Sequence, residues 1–401
     1  MTAVDALFAP ARIGRLDIKN RFVRSATSET MSADSGEITD AYEDFYRALA
    51  RGGAGLILTG HMFVHPRGRY IAHQSGLHDD RVIPRLRRFT QMMHDEGAIV
   101  FAELGHAGSQ CRDPGITPLA PSVIPNFISE RDPQEMNVAD IEEAIAAFGA
   151  AARRAREAGF DGVHIHAGHG YLISEFSSPW GNRRTDAWGG DAERRGRFLL
   201  EIYRSIRRAV GADFPVTVKL GMADSMESGG LELAESLGRA AALVAEGVDA
   251  IETSVGIMHL LTKSVGRFVG VGWGRAFQDM VLPRFVMRAD PEAYFRPSAH
   301  ALKRQHPRLP VILVGGIRRT ETMAEILASG DADFISMARP LIREPDLPNQ
   351  ILAGRRGLVD CVSCNICVDH EGTEPTRCWR TDKRLIVEHL YRKYWSERGG
   401  H

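Results

Sequence analysis

Two histidines and a tyrosine fall within six residues where an apolar run stops, in Gly162-Val163-His164-Ile165-His166-Ala167-Gly168-His169-Gly170-Tyr171-Leu172. Val163 and Ile165 are β-branched and Gly162 precedes them, so the run reads as a short buried strand ending in a polar rim. In parallel α/β sheets the carboxyl ends of the strands are where ligands meet the protein. His166 and His169 would offer donors to an anionic oxygen, and Tyr171 a proton to an adjacent carbon. The competing reading is two structural histidines and a core tyrosine. Three polar groups at one strand end favour a site.

The elements that must position these groups alternate along the chain. Short β-rich runs occur at 22–25, 56–60, 99–104, 162–166, 216–220, 250–254, 311–314 and 334–337. Amphipathic segments lie between them, at 79–96, 138–158, 192–210, 231–246 and 320–328. Gly97, Gly159, Gly247 and Gly330 close four of these segments as left-handed C-caps. Eight such units with no break in composition predict a (β/α)8 TIM barrel over 1–354, followed by a short cysteine-containing extension over 355–401. The runner-up is an open doubly wound sheet, but no Gly-x-Gly-x-x-Gly follows the first strand.

In such a barrel, catalytic groups gather at the strand ends. The first strand delivers Ser25, Thr27 and Ser28, the second Gly60 and His61, the third Glu103 and His106. The fourth gives His166, His169 and Tyr171, and the fifth Lys219. After the seventh and eighth come Gly315-Gly316 and Ala338-Arg339, the place where barrels commonly hold phosphate. Glycine permits close backbone approach and Arg339 adds a fixed cation, against the alternative of a tight turn and a surface arginine. A phosphorylated ligand is expected.

Composition narrows the class. With 44% hydrophobic and 25% charged residues in 401, the chain is of ordinary globular make-up and long enough for a sizeable core. A net charge of −1 gives no footprint for nucleic acid or an anionic membrane. No signal-peptide pattern or bilayer-length apolar run is evident, and a cytoplasmic enzyme acting on a small molecule, with a homo-oligomer open, is expected. Of five cysteines, Cys361, Cys364, Cys367 and Cys378 cluster near the end, so they are no disulfide framework; Cys111 stands apart.

Longer motifs carry a family resemblance over about 7–354. They are Leu7-Phe8-Ala9-Pro10, Asn20-Arg21-Phe22-Val23, Gly105-His106-Ala107-Gly108, Ile165 to Leu172, Ser178-Pro179-Trp180-Gly181-Asn182-Arg183-Arg184-Thr185-Asp186-Ala187-Trp188-Gly189-Gly190 and Ala338-Arg339-Pro340-Leu341-Ile342. In this order they resemble the Old Yellow Enzyme family of FMN-dependent oxidoreductases. The resemblance implies FMN at the barrel mouth, reduced by NAD(P)H, and hydride delivery to an activated alkene such as an α,β-unsaturated carbonyl. His166 and His169 would hold the substrate oxygen and Tyr171 would protonate the α-carbon. The flavin would be held by Ser25, Thr27, Ser28, Gly60, Glu103, Lys219, Gly315, Gly316, Ala338 and Arg339, with Arg339 and the glycines at the phosphate and Lys219 near the pyrimidine. Two positions depart from the family: Glu103 stands where Gln is usual, and Ser28 where Thr or Cys is frequent. An ionised Glu only accepts hydrogen bonds, so it would oppose negative charge on the ring.

The cysteine segment resembles that of larger relatives, dienoyl-CoA reductases and amine dehydrogenases, which carry a [4Fe–4S] cluster; a cluster, zinc and reduced thiols all stay open. An insertion over 256–290 brings Trp273, Phe277 and Phe285 to the face that sets substrate preference. His61, His65, His73 and His78 show no metal spacing and read as loop or surface groups. The alternatives are an amine dehydrogenase or demethylase on the same barrel, a Schiff-base aldolase or lyase using Lys219, and a non-catalytic flavin- or metal-binding protein.

Overall fold

In the computed structural model, which describes residues 3–124, 131–226, 228–257 and 292–394, eight parallel strands close on themselves. They are β1 (Phe22–Arg24), β2 (Leu56–Leu58), β3 (Ile99–Gly105), β4 (Gly162–Ala167), β5 (Val216–Gly221), β6 (Ala250–Ser254), β7 (Val311–Leu313) and β8 (Phe334–Met337). Each pairs with its neighbour in sequence, and β8 returns to β1 with Ile335 opposite Phe22. The helices α1 (Asp40–Arg51), α2 (Ile83–Asp95), α3 (Val138–Glu157), α4 (Ala192–Val210), α5 (Leu233–Ala245), α6 (Arg296–Gln305), α7 (Thr320–Ala328) and α8 (Leu347–Leu352) follow the strands in turn. Closure of the sheet excludes the doubly wound alternative. Trp273, Phe277 and Phe285 lie outside the described residues.

Local signals explain most boundaries. Gly97, Gly159, Gly247 and Gly330 all take positive φ after their helices, as left-handed caps do. The segment at 79–96 starts later as an α-helix than its periodicity implies. Asp79 accepts from the Arg81 N–H and a 3-10 turn (Asp80–Val82) comes first, with Pro84 early in α2. An N-terminal hairpin pairs Ala11–Ile13 with Leu16–Ile18, and its three-residue arms are too short to show as strand-length runs in the sequence. It turns at Gly14, φ +54, where a Cβ would stand 2.6 Å from Asp249.

The alternation along each strand builds two regions, one outside the sheet and one inside it. Val163, Ile165, Val216, Val218, Leu220 and Ile251 face outward into the main core beneath the helices. Inward, Val23, Leu56, Leu58, Phe101, Ala250, Ile312 and Phe334 meet Ile13 and Ile18 of the hairpin in a separate apolar plug. Gly162 makes room there: a Cβ on it would lie 2.6 Å from the Phe101 ring. Nearer the carboxyl ends, the same inward positions turn polar. Register sets Glu103 opposite His164, and Lys219 opposite both His166 and Glu252. The charges therefore meet on the barrel axis under the mouth.

Candidate active site

A cavity of about 380 Å³ opens at the carboxyl ends of the strands. Thr27, Ser28, Glu103, His166, His169, Tyr171, Lys219, Ala338 and Arg339 all line it, so the structure brings these expected groups together. Four others stand behind the wall. Ser25 donates to Glu252 at 2.9 Å. The Gly60 N–H donates to Glu29, where a Cβ would clash at 2.1 Å. Gly315 and Gly316, φ +123 and +70, are needed because the Tyr294 and Phe295 rings lie 2.6–2.8 Å from where a Cβ would stand.

Lys219 is the electrostatic centre of the floor. Its Nζ lies 2.8 Å from Glu103 and 3.4 Å from Glu252, and all three are almost wholly buried. Burial works against its charge, but the two carboxylates win and hold its pKa above the ordinary lysine value. Glu252 also accepts from Ser25 and Ser336 and pairs with His164 at 3.2 Å. Burial opposes its ionisation, yet Lys219 and His164 hold it far below the usual carboxylate range. This network explains how a carboxylate is tolerated at position 103. It also argues against the Schiff-base reading, since an ammonium clamped by two carboxylates is no nucleophile.

The strand-four histidines face each other. His169 is held at φ +59, a strained setting for a non-glycine residue, by the turn that follows β4. The rings cross at 86° with centroids 4.9 Å apart. His166 Nδ1 accepts from the Gly168 N–H at 3.4 Å, which assigns the proton to Nε2, 3.2 Å from His169 Nδ1. His169 Nε2 meets the Ser254 hydroxyl at 2.9 Å. Both imidazoles are neutral: burial pulls His169 down to about 3 and His166 well below the usual range. A hydroxyl either donates or accepts, so Ser254 permits either His169 tautomer. As the rings stand, His169 Nδ1 accepts from His166 Nε2 and His169 Nε2 donates to Ser254; in the other His169 tautomer Ser254 donates to Nε2 and both facing imidazole nitrogens carry a proton for an oxygen between them.

Tyr171 is 8% exposed, with ring centroids 4.9 Å from both His61 and His166. Burial raises its pKa well above the usual phenol value, so it stays protonated. His61 corrects the expectation of a loop or surface group. It is buried, lines the cavity, and its Nε2 has no hydrogen-bond partner among the described residues. His65, beside Glu143, and exposed His73 fit that expectation; His78, stacked on Phe63, is buried in part. His106 is the opposite correction. Its ring packs against Gly68 and its Nδ1 accepts from Gly108, away from the mouth.

Tyr70, Gln110, Arg112 and the extension residues Cys367, Val368, Glu371 and Thr376 also line the cavity. They come from loops and from beyond the barrel, where no periodicity points inward. The extension is tied down by Thr376, whose N–H donates to Glu29 O at 2.8 Å and whose hydroxyl donates to Ser28 O at 2.6 Å. Behind Arg339 lies a smaller cavity of about 30 Å³, lined by Cys361, Cys364, Cys367 and Cys378. All four are free thiols, and burial pushes Cys364 up to about 11 and Cys367 to about 12. Ser363 and Asn365, both at positive φ, turn the chain around this cavity. Four thiols lining one cavity are the donor type that iron–sulfur clusters and structural zinc use.

The mouth fits a phosphorylated flavin in its donor set. Arg339 binds Asn365 and Tyr294 and has no carboxylate partner among the described residues, which leaves its charge for an anion. The orphaned His61 Nε2 is a second polar group awaiting a ligand. A larger concavity, about 1270 Å³, lies outside the barrel between α4 and α5 and holds none of the strand-end groups.

Residues 6–357 match the sequence model of the NADH:flavin oxidoreductase / NADH oxidase family. The chain belongs to that family. This bears out the Old Yellow Enzyme resemblance. The chain is 37% identical over 374 residues to an NADH oxidase of Thermoanaerobacter brockii, covering 91% of this chain and 54% of that protein. It thus spans about half the length of the first curated relatives it matches. It is 34% identical over 399 residues to a 4,4'-dithiodibutanoate disulfide reductase of Rhodococcus erythropolis, covering 96% of this chain and 97% of that one. A solved 2-naphthoyl-CoA reductase complex superposes with a TM-score of 0.83 at 27% identity, over 96% of this chain and 58% of that one. No helix among the described residues is long and apolar enough to cross a membrane.

Proposed function

We propose that this protein is an FMN-dependent oxidoreductase that takes hydride from NAD(P)H and reduces an activated alkene. The observation that carries the reading is the convergence of His166, His169 and Tyr171 on one cavity with Lys219 and Arg339. FMN, when bound, would supply hydride exchange between the nicotinamide and the substrate. Arg339 would hold its phosphate, and Thr27, Ser28, Glu103 and Lys219 its ring.

The chain's own work is on the substrate. A carbonyl or nitro oxygen entering between the two imidazoles accepts from His166 Nε2 and His169 Nδ1, with Ser254 donating to His169 Nε2. Each such donor is typically worth on the order of a hundredfold in rate. Tyr171 then gives its proton to the α-carbon beside the held oxygen. The visible spectrum of freshly purified protein tests the reading: flavin absorbance that bleaches anaerobically with NAD(P)H and returns with cyclohexenone supports it. A colourless protein that binds no added FMN overturns it.

A second reading, reduction of a disulfide, is favoured by the nearly full-length match to the Rhodococcus reductase. Reoxidation by a disulfide in preference to an enone would select it. The resemblance to a histamine dehydrogenase structure, 26% identical over 96% of this chain, keeps amine oxidation as a substrate test. Cys361, Cys364, Cys367 and Cys378 would hold an iron–sulfur cluster or a zinc ion. Iron with inorganic sulfide, zinc, or neither, measured on anaerobically purified protein, distinguishes cluster, zinc site and reduced thiols.

A further inference from the structure

The proposed proton donor has a problem of supply. Tyr171 is 8% exposed, and burial resists charge on its oxygen. Once it has protonated a carbon it is left as a phenolate, with substrate across the open side of the cavity. A buried phenolate needs a proton from another direction before the next turnover.

The side away from the histidines provides one. The Tyr70 and Tyr171 rings meet edge to face with centroids 5.5 Å apart, which sets the two phenols side by side. Tyr70 is 3% exposed and its Oη lies 3.4 Å from Glu371 Oε2. Its backbone N–H donates to Gln74 at 2.7 Å, and the Arg112 guanidinium lies 5.2 Å from the ring centre, so its orientation is fixed. Glu371 belongs to the extension. The Gly372 N–H next to it donates to Thr30 at 3.3 Å, which holds the main chain there, and Glu371, half-buried, lines the mouth.

We propose that Glu371 returns protons to Tyr171 through the hydroxyl of Tyr70, making the cysteine-bearing extension part of the catalytic apparatus. The inference rests on Tyr171 being the proton donor of the function proposed above. The transfers balance without any electron moving. The Tyr171 O–H breaks as the substrate C–H forms; Tyr70 gives its proton to Tyr171; the Glu371 carboxyl gives its own to Tyr70. The resulting carboxylate takes a proton from water. One proton therefore passes from solvent to carbon.

Charge around the relay agrees with this direction. Burial raises the Glu371 carboxyl above the ordinary glutamate value, although Arg112 and bonds from Tyr70 and Ser28 pull the other way. It therefore holds a proton closer to neutrality than a surface glutamate would. Glu103 is the other acidic group felt at Tyr171, and Arg112 the cation. Tyr70 and Glu371 are positioning residues: they act through Tyr171 and leave the substrate to it.

The test is rapid-mixing reoxidation of the reduced holoenzyme by cyclohexenone, expressed relative to reoxidation by a quinone, which is protonated on oxygen. Tyr70→Phe and Glu371→Gln should each lower that ratio about tenfold or more, and the double variant no further. In the wild type the ratio should fall as pH rises through the Glu371 titration, and that limb should vanish in Glu371→Gln. Infrared difference spectra should show a protonated carboxyl band that titrates over the same range and is missing in Glu371→Gln. An unchanged ratio in both single variants, or a pH limb that survives Glu371→Gln, overturns the relay. If Glu371→Gln does not fold, Tyr70→Phe and the wild-type infrared titration decide alone. If wild-type protein reduces no enone, the proposed function fails, while the infrared band still decides whether Glu371 carries the proton.

Discussion

Replacing Lys219 with Met leaves Glu103 and Glu252 side by side in the barrel with no ammonium between them. In the wild type the ammonium stands 2.8 Å from one carboxylate and 3.4 Å from the other. At an effective dielectric constant of about 20, each pairing is worth roughly 5–6 kcal/mol before desolvation is counted. Removing one partner from a buried ion pair costs about 3–5 kcal/mol net, and that destabilisation is expected for Lys219→Met at pH 7. Glu252 in the wild type titrates far below its ordinary value, so its contribution is present above an unfolded pKa of about 4.3 and is lost as pH falls through the folded one. Lys219 titrates above its ordinary value, so its contribution is present below about 10.4 and is lost as pH rises through the folded one. The gap between wild type and variant is therefore wide at neutral pH and narrows towards about pH 4, where the unpaired carboxylates take up protons. Adding Glu103→Gln to the variant should recover much of the stability, because Glu252 keeps Ser25, Ser336 and His164. Urea unfolding at both pH values measures this. Equal stability of wild type and Lys219→Met at pH 7, or a gap that ignores pH, would refute the charge-centre reasoning.

Two further outcomes follow from the mouth. Arg339→Ala should weaken FMN retention at least tenfold, since no guanidinium then meets the phosphate; flavin content after gel filtration checks this, and unchanged content would remove the phosphate assignment. His166→Ala with His169→Ala should abolish the long-wavelength absorbance that phenols induce while bound flavin stays, and a normal phenol titration would refute the oxygen clamp.

The barrel was legible because its strands carry β-branched outward faces at period two and its helices end on glycines that need positive φ, such as Gly97 and Gly159. The histidine and tyrosine rim was legible because it breaks an apolar run at a strand end. Glu103 and Lys219 could be placed at the mouth, but not against each other, since only register across β3, β4 and β5 makes them neighbours. Tyr70, Arg112 and Glu371 carry no periodic signal at all; loops and the folded-back extension bring them in. The Gly315-Gly316 pair shows how one signal serves two causes. Its positive φ reads as close approach, and what approaches is Tyr294 and Phe295.

The most direct measurement is rapid mixing of Tyr171→Phe. The substitution keeps the ring packed against His61 and His166 and removes only the hydroxyl that carries the proton. Reduction by NAD(P)H should continue at close to the wild-type rate, because that half-reaction takes no proton from the protein to substrate carbon. Reoxidation by cyclohexenone should slow by about a hundredfold or more, with quinone reoxidation spared. Enone reoxidation at the wild-type rate would contradict the account and make Tyr171 a packing residue.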